Sequence, residues 1–196
     1  MLKLVVLISG SGSNLRALLE AASDDTYPAE IVAVGADNAA SGLAHAVEFG
    51  VPTFIVAPQE YANREAWGQA LAAAISEHQP DLVVCAGFMR ILPADFVGLF
   101  SPQLINMHPA LLPLYPGAHA VRDALADGAT VTGASVHIVD EGVDTGPVIE
   151  QVQVVINADD TEESLHERIK AVERELIVRT VKNIATKNIN LQELAR

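Results

Sequence analysis

The sequence predicts an α/β domain of three layers, built on a mostly parallel central sheet with antiparallel members in its C-terminal half. Three observations predict it. Apolar, β-branched runs such as Leu4-Val5-Val6-Leu7-Ile8 have no polar face, as expected of strands covered on both sides. These runs alternate with segments whose apolar residues recur at helical spacing, and that alternation implies parallel neighbours joined by right-handed crossovers. After residue 130 the pattern changes to two runs that mix polar and apolar residues and are joined by a short acidic loop, as antiparallel pairs are.

Taken in order, the first strand ends at Ser9-Gly10-Ser11-Gly12-Ser13-Asn14, and Leu15, Leu18 and Leu19 then mark a helix. Strand, glycine loop and helix together aim free backbone N–H groups at an anion. The loop is neither a Walker type nor a full Gly-x-Gly-x-x-Gly, because position 15 is leucine. It reads as a phosphate loop or as a flexible turn with a helix cap. Ile31-Val32-Ala33-Val34 is the second strand, followed by a helix with Leu43, Ala44 and Val47 that closes at Gly50. Thr53 to Val56 is the third strand. A helix from about Tyr61 to Glu77 puts Trp67, Leu71 and Ile75 on one side, with Arg64 in its first turn, where a cation is unfavourable. Asp81 to Gly87 is the fourth strand. The apolar loop Phe88-Met89-Arg90-Ile91-Leu92 after it is either a lid on the core or the wall of a ligand slot.

Leu104-Ile-Asn-Met-His108 is the fifth strand, stopped by Pro109. Asn106 and His108 are two apart and so share a face where the strand runs out. Two donors so placed suit a carbonyl oxygen that is gaining charge, and they equally suit a capped turn beside a satisfied histidine. A short helix spans Ala118 to Asp127. Thr130 to Val139 and Pro147 to Ile156 form a hairpin-like pair joined by Asp140-Glu-Gly-Val-Asp-Thr-Gly146. His137 either faces the same edge or fills a satisfied polar position. The loop holds three acids, Asp140, Glu141 and Asp144; either one of these carboxylates stands near His108, where it would favour the charged imidazole and raise its pKa, or the loop is a solvated turn. The last helix runs from about Thr161 to Ala185, and residues 188–196 read as a loosely held tail. The whole is a Rossmann-like arrangement in one domain over residues 1–187. In such sheets ligands gather at the carboxyl ends of the strands, where the Ser9–Asn14 loop, the 87–92 loop and the Asn106/His108 pair converge.

Composition narrows the function classes. The chain has 196 residues, 19% of them charged, with a formal net charge of −13. That argues against binding nucleic acid or an anionic membrane, although a local loop can still hold a small phosphorylated ligand. The lone Cys85 sits in an apolar run and fits a reducing compartment. The apolar start is only about seven residues long and lacks a signal-peptide pattern, and no run approaches the roughly 20 residues of a membrane span. The reading is a soluble cytoplasmic protein. The 140–146 loop lacks calcium-loop spacing and there is no His/Cys cluster for zinc, so no metal is expected.

Several segments, in this order, resemble the glycinamide ribonucleotide formyltransferases, folate-dependent enzymes of purine biosynthesis. They are Ile8-Ser-Gly-Ser-Gly-Ser-Asn-Leu15, Ala86-Gly-Phe-Met-Arg-Ile-Leu92, Asn106-Met-His-Pro109 through Leu112-Pro113, Ser135-Val-His137 and Asp144-Thr-Gly-Pro-Val-Ile149. The resemblance implies that the formyl group of 10-formyltetrahydrofolate passes to the amine of glycinamide ribonucleotide by direct attack, through a tetrahedral oxyanion. It implies a catalytic set of Asn106, protonated His108 and Asp144, with His137 in support. The nucleotide would be held by Gly12, Ser13, Asn14, Gly117 and Glu173. The formyl folate would be held by Arg64, Met89, Arg90, Ile91, Leu92 and Asn106. It divides the domain into a phosphate-binding half, about residues 1–100, and a catalytic and folate-binding half, about 101–187. The partners implied are these small molecules, and a homodimer is compatible with it. Ala110 and Leu114 depart from the serine and lysine the family often carries. The rival readings are a formyltetrahydrofolate hydrolase, an enzyme formylating methionyl-tRNA, and a non-catalytic nucleotide-binding module. The hydrolase usually has an upstream domain, whereas the first strand here starts at about residue 2. The tRNA enzyme has a further C-terminal domain and basic surface, whereas this chain is acidic and ends soon after its last helix.

Overall fold

The computed structural model describes all 196 residues, Met1 to Arg196. Seven strands form its single sheet: β1 (Leu2–Ile8), β2 (Ala29–Ala36), β3 (Thr53–Ile55), β4 (Leu82–Cys85), β5 (Leu104–His108), β6 (Val131–Ile138) and β7 (Val148–Val155). Seven helices surround it: α1 (Ser13–Ala22), α2 (Leu43–Glu48), α3 (Arg64–Ser76), α4 (Ala94–Phe100), α5 (Ala120–Ala126), α6 (Glu162–Ala185) and α7 (Leu191–Leu194). The strand order is β3-β2-β1-β4-β5-β6-β7. Neighbours from β3 through β5 are parallel, whereas β6 runs antiparallel to both β5 and β7. The predicted architecture is therefore the observed one, down to the change of direction in the C-terminal half.

The two-sided burial of the strands follows from their alternation. On β1, Leu4, Val6 and Ile8 enter a core shared with α1, α2, α5 and α6, whereas Val5 and Leu7 enter a second core against α3 and α4. All five are fully buried. A strand that feeds two cores has no place for a polar residue until it leaves the sheet, so chemistry begins at Ser9. α6 is held at its start by a capping box: Thr161 Oγ1 accepts from the Ser164 N–H, and Ser164 Oγ accepts from the Thr161 N–H. No helix is long and apolar enough to cross a membrane.

Two expectations change. The third helix starts at Arg64 rather than Tyr61, because Pro58–Glu60 forms a separate turn of 3-10 helix and the Asn63 side chain caps α3 by accepting from the Ala66 N–H at 2.8 Å. The tail is not loose. Asn190 caps α7, and Leu191 is buried in the α6-side core. Two apolar side chains, Ile189 and Leu191, four and six residues after the end of α6, are too small a periodic signal to show that docking.

The 140–146 connection is tightly fitted. A Cβ at Gly146 would run into the Ile138 carbonyl oxygen, next to the point where the Ile138 N–H donates to Pro147 O at 2.9 Å. Gly146→Ala is therefore expected to cost roughly 1–3 kcal/mol, in the range of overpacked sites. Urea unfolding should show it as a lower midpoint with unchanged slope.

Candidate active site

The carboxyl ends of β1, β4 and β5 open on one cavity of about 590 Å3, within the usual range for small-molecule sites. Its floor is set by strand register. Asn106 on β5 lies directly opposite His137 on β6, and side chains so paired stand within contact distance. Asp144 closes the group from the 140–146 loop. Its Oδ1 lies 3.3 Å from Asn106 Nδ2 and 3.4 Å from His137 Nε2, and its Oδ2 lies 3.4 Å from His108 Nδ1. Asp144 Oδ2 also accepts the Gly117 N–H at 2.8 Å.

Each histidine has one nitrogen fixed by a carbonyl. His108 Nε2 donates to Tyr115 O at 2.8 Å, and His137 Nδ1 donates to Ile138 O at 2.9 Å. His137 Nε2 is 3.2 Å from Asn106 Nδ2; when neutral it accepts from that amide, and when charged it donates to Asp144. The Nδ1 of His108 is thus the nitrogen left for chemistry. Partial burial pushes the Asp144 carboxyl up, but the His137 imidazole, the Gly117 N–H and the two imidazole charges together hold it at about 2. Asp144 raises His108, as a neighbouring carboxylate should, but it does not decide the net direction. Asp144 and the Tyr115 carbonyl do pull it upward, yet burial outweighs them and leaves His108 below its ordinary 6.5.

The Ser9–Asn14 loop is held by its carbonyl side. Ser9 O accepts from Asn38 Nδ2 at 3.0 Å, Gly10 O from the Gly42 N–H at 3.0 Å, and Ser11 O from His45 Nε2 at 3.2 Å. All three donors come from the connection between β2 and α2 and from α2 itself. Gly12, at φ 70°, then turns the chain into α1, whose first N–H groups receive no side-chain cap. An anion at this point would meet unpaired donors. Asn14 Nδ2 donates to Glu173 Oε2 at 3.2 Å, and buried Asn14 Oδ1 has no partner within the chain. Burial pushes Glu173 up, against the pull of Asn14, Lys170 and Arg174.

On the other side of the floor lies the 87–92 loop, with Met89 and Ile91 exposed at 64% and 58%. Arg64 does not point into the cavity. Its Nε and Nη2 donate to Ile91 O and Leu92 O at 3.0 and 2.8 Å, and it borders an adjoining recess of about 520 Å3 with Tyr61, Trp67 and Arg90. That contact accounts for a cation at a helix start.

Thirteen sequence-derived residues line the one cavity: Gly12, Ser13, Asn14, Met89, Arg90, Ile91, Leu92, Asn106, His108, Gly117, His137, Asp144 and Glu173. It draws on both halves of the chain. Sequence reasoning missed Lys170 and His166, which line it too. They stand three and seven residues before Glu173 on α6 and so share its face, a spacing that could have found them. Gly117 meets the site chiefly by holding Asp144. Ala110 is buried and Leu114 exposed, and neither lines the cavity. No group of three or more His, Cys, Asp or Glu side chains is placed to hold a metal ion. Cys85 is buried beneath the cavity, its thiol pushed up to about 12.

Comparisons with known proteins give the family. The family model described as formyl transferase matches residues 2–181. A phosphoribosylglycinamide formyltransferase of Mycobacterium tuberculosis is 51% identical over 189 residues, covering 96% of this chain and 87% of the relative. The Escherichia coli protein of that name is 38% identical, covering 99% and 92%. The crystal structure of glycinamide ribonucleotide transformylase 1 from Symbiobacterium toebii superposes with a TM-score of 0.93 at 38% identity, over 95% of this chain and 89% of that one.

An NMR titration of the imidazoles checks the electrostatics. His108 should titrate below 6.5, and lower still in Asp144→Asn, because the substitution removes the group that pulls it upward. A wild-type value above 6.5 would mean that burial is not the controlling influence.

Proposed function

The chain belongs to the formyl transferase family, and from that premise we propose the reading its site supports best: transfer of the formyl group of 10-formyltetrahydrofolate to the amine of glycinamide ribonucleotide, the formyl-transfer step of purine biosynthesis. It is a folate-dependent enzyme acting on two small molecules. The observation that carries the reading is the position of Asn106, His108 and Asp144 between an uncapped helix start and an apolar slot in one cavity.

The two ends of the cavity suit different chemistry. The Gly12-Ser13-Asn14 turn and Lys170 suit the phosphate, the anionic part of the nucleotide. The free Asn14 Oδ1 and Glu173 suit hydroxyl donors of the ribose. At the other end, Met89, Ile91, Leu92 and Val143 supply apolar walls, and backbone groups of the 87–92 loop supply directional contacts for a pterin. Arg64 and Arg90, at the adjoining recess, suit an anionic folate tail. The protein's overall negative charge opposes both anionic substrates, so these local cations matter more than the mean field.

The chemistry then follows from the protonation states. The uncharged amine adds to the formyl carbon, and the carbonyl oxygen gains negative charge. Asn106 Nδ2 donates to that oxygen. His108 rests neutral, with Nε2–H committed to Tyr115 O, so its Nδ1 accepts the proton the amine must lose. The imidazolium formed is stabilised by ionised Asp144. It returns the proton to folate N10 as the C–N10 bond breaks, leaving the formylated amine and tetrahydrofolate. This replaces a permanently charged His108 with one that is charged only during the reaction. The scheme uses no side-chain nucleophile. The site residues are one domain's work, and we place the enzyme in the cytoplasm.

His108→Ala should lower kcat by about 10²–10⁴, and Asn106→Ala by about 10²–10³, with smaller changes in either KM. Absorbance assays of 10-formyltetrahydrofolate with and without glycinamide ribonucleotide test the whole reading. Turnover that needs the nucleotide is expected. Turnover without it would make the protein a hydrolase, and none under either condition would make it a binding module.

A further inference from the structure

Asp37 lines neither the main cavity nor the adjoining recess, yet it is 1% exposed and carries a carboxylate. A buried carboxylate must be paired to be tolerated, and the identity of its partners is informative. Arg90 Nε donates to Oδ2 at 2.5 Å, and Asn38 Nδ2 donates to Oδ1 at 2.8 Å. Ser9 Oγ accepts the Met89 N–H at 2.8 Å, and the same Asn38 amide that meets Asp37 reaches Ser9 O. A path therefore runs from the Met89 backbone through Ser9 and Asn38 to Asp37 and back through the Arg90 side chain.

The path joins two segments that come from distant strands. Ser9 opens the loop that leads into α1, and Met89 and Arg90 lie in the slot after β4. The connection between β2 and α2 that carries Asp37 also grips the carbonyls of Ser9, Gly10 and Ser11 through Asn38, Gly42 and His45. The two segments pack backbone to backbone. A Cβ on Gly42 would sit 2.8 Å from Gly10 O and 2.9 Å from Ser11 C. The frame is thus in close contact with the nucleotide-side loop, and it reaches the slot by one charged pair and one hydroxyl.

We propose that Asp37 is a positioning residue that ties the two substrate-binding loops together, so that filling one end of the cavity tightens binding at the other. The proposal rests on the reaction assigned above for which ligand goes where. The coupling is reciprocal, as any binding linkage must be, with typical factors of about 5–150. Arg90, paired with Asp37 and bordering the recess, is the element through which a folate tail reports to the Ser9 loop.

The test is calorimetric binding of tetrahydrofolate with and without saturating glycinamide ribonucleotide. The wild type should bind tetrahydrofolate at least about 5-fold more tightly when the nucleotide is present. Asp37→Asn keeps the shape but presents an amide NH2 to one of the two donors around it, and the factor should fall to near one, with both KM values raised more than kcat is lowered. Ser9→Ala removes only the bridging hydroxyl and should reduce the factor in the same way. It serves where the buried Asp37 substitution fails to fold, with melting curves as the control. No coupling in the wild type, or full coupling in folded variants, would overturn the proposal. Loss of turnover in the wild type would count against the assigned reaction instead, because the two binding constants remain measurable without it.

Discussion

The candidate active site depends on where the protein puts one ionised carboxylate. Asp144 sits at the end of a connection that would not hold it by sequence alone. Its backbone is left-handed, at φ 54°, a conformation that costs a non-glycine residue of order 1–2 kcal/mol. The cost is offset by what the position allows. One oxygen meets Asn106 and His137, and the other meets the Gly117 N–H and His108. Aspartate tolerates this region better than most residues because its short side chain bonds locally. The neighbouring turn is strained in the same service: Tyr115 at φ 53° and Gly117 at φ 90° deliver a carbonyl to His108 and an N–H to Asp144.

The electrostatics are a contest between burial and pairing, and it ends differently for the two partners. Asp144 keeps 14% of its side-chain surface and is surrounded by donors, so it stays ionised. His108 keeps 5% and faces two acceptors, yet desolvation prevails. A neutral imidazole beside a fixed carboxylate is ready to take a proton and is stabilised once it has done so. That arrangement suits a reaction in which a proton leaves one nitrogen and must arrive on another. A permanently charged imidazole would stabilise the oxyanion but would have nowhere to put the amine's proton.

Much of this was legible in the sequence, for identifiable reasons. Continuous β-branched runs declared the parallel strands, and the polar–apolar mixture after residue 130 declared the antiparallel pair. Asn106 and His108 announced themselves by two-residue spacing at a strand end, and the Ser9–Asn14 glycines by their place between strand and helix. What was not legible depends on registers and distances no local pattern encodes. Arg64 serves the carbonyls of a loop 27 residues away, and Asp37 pairs with Arg90 across 53 residues. The tail docks through only Ile189 and Leu191. The downward pull on His108 was not legible because a neighbouring carboxylate can be read from sequence, whereas the depth of burial cannot. Lys170 and His166 are a different case, since their spacing from Glu173 was present in the sequence and went unused.

The central claim is that Asp144 acts on the reaction through His108. A double-mutant cycle on kcat at these two positions measures that directly. The account predicts that Asp144→Ala costs rate in the wild type but little or nothing in a His108→Ala background, because the imidazolium it stabilises no longer forms. Equal losses in both backgrounds would contradict the claim and give the carboxylate a separate task.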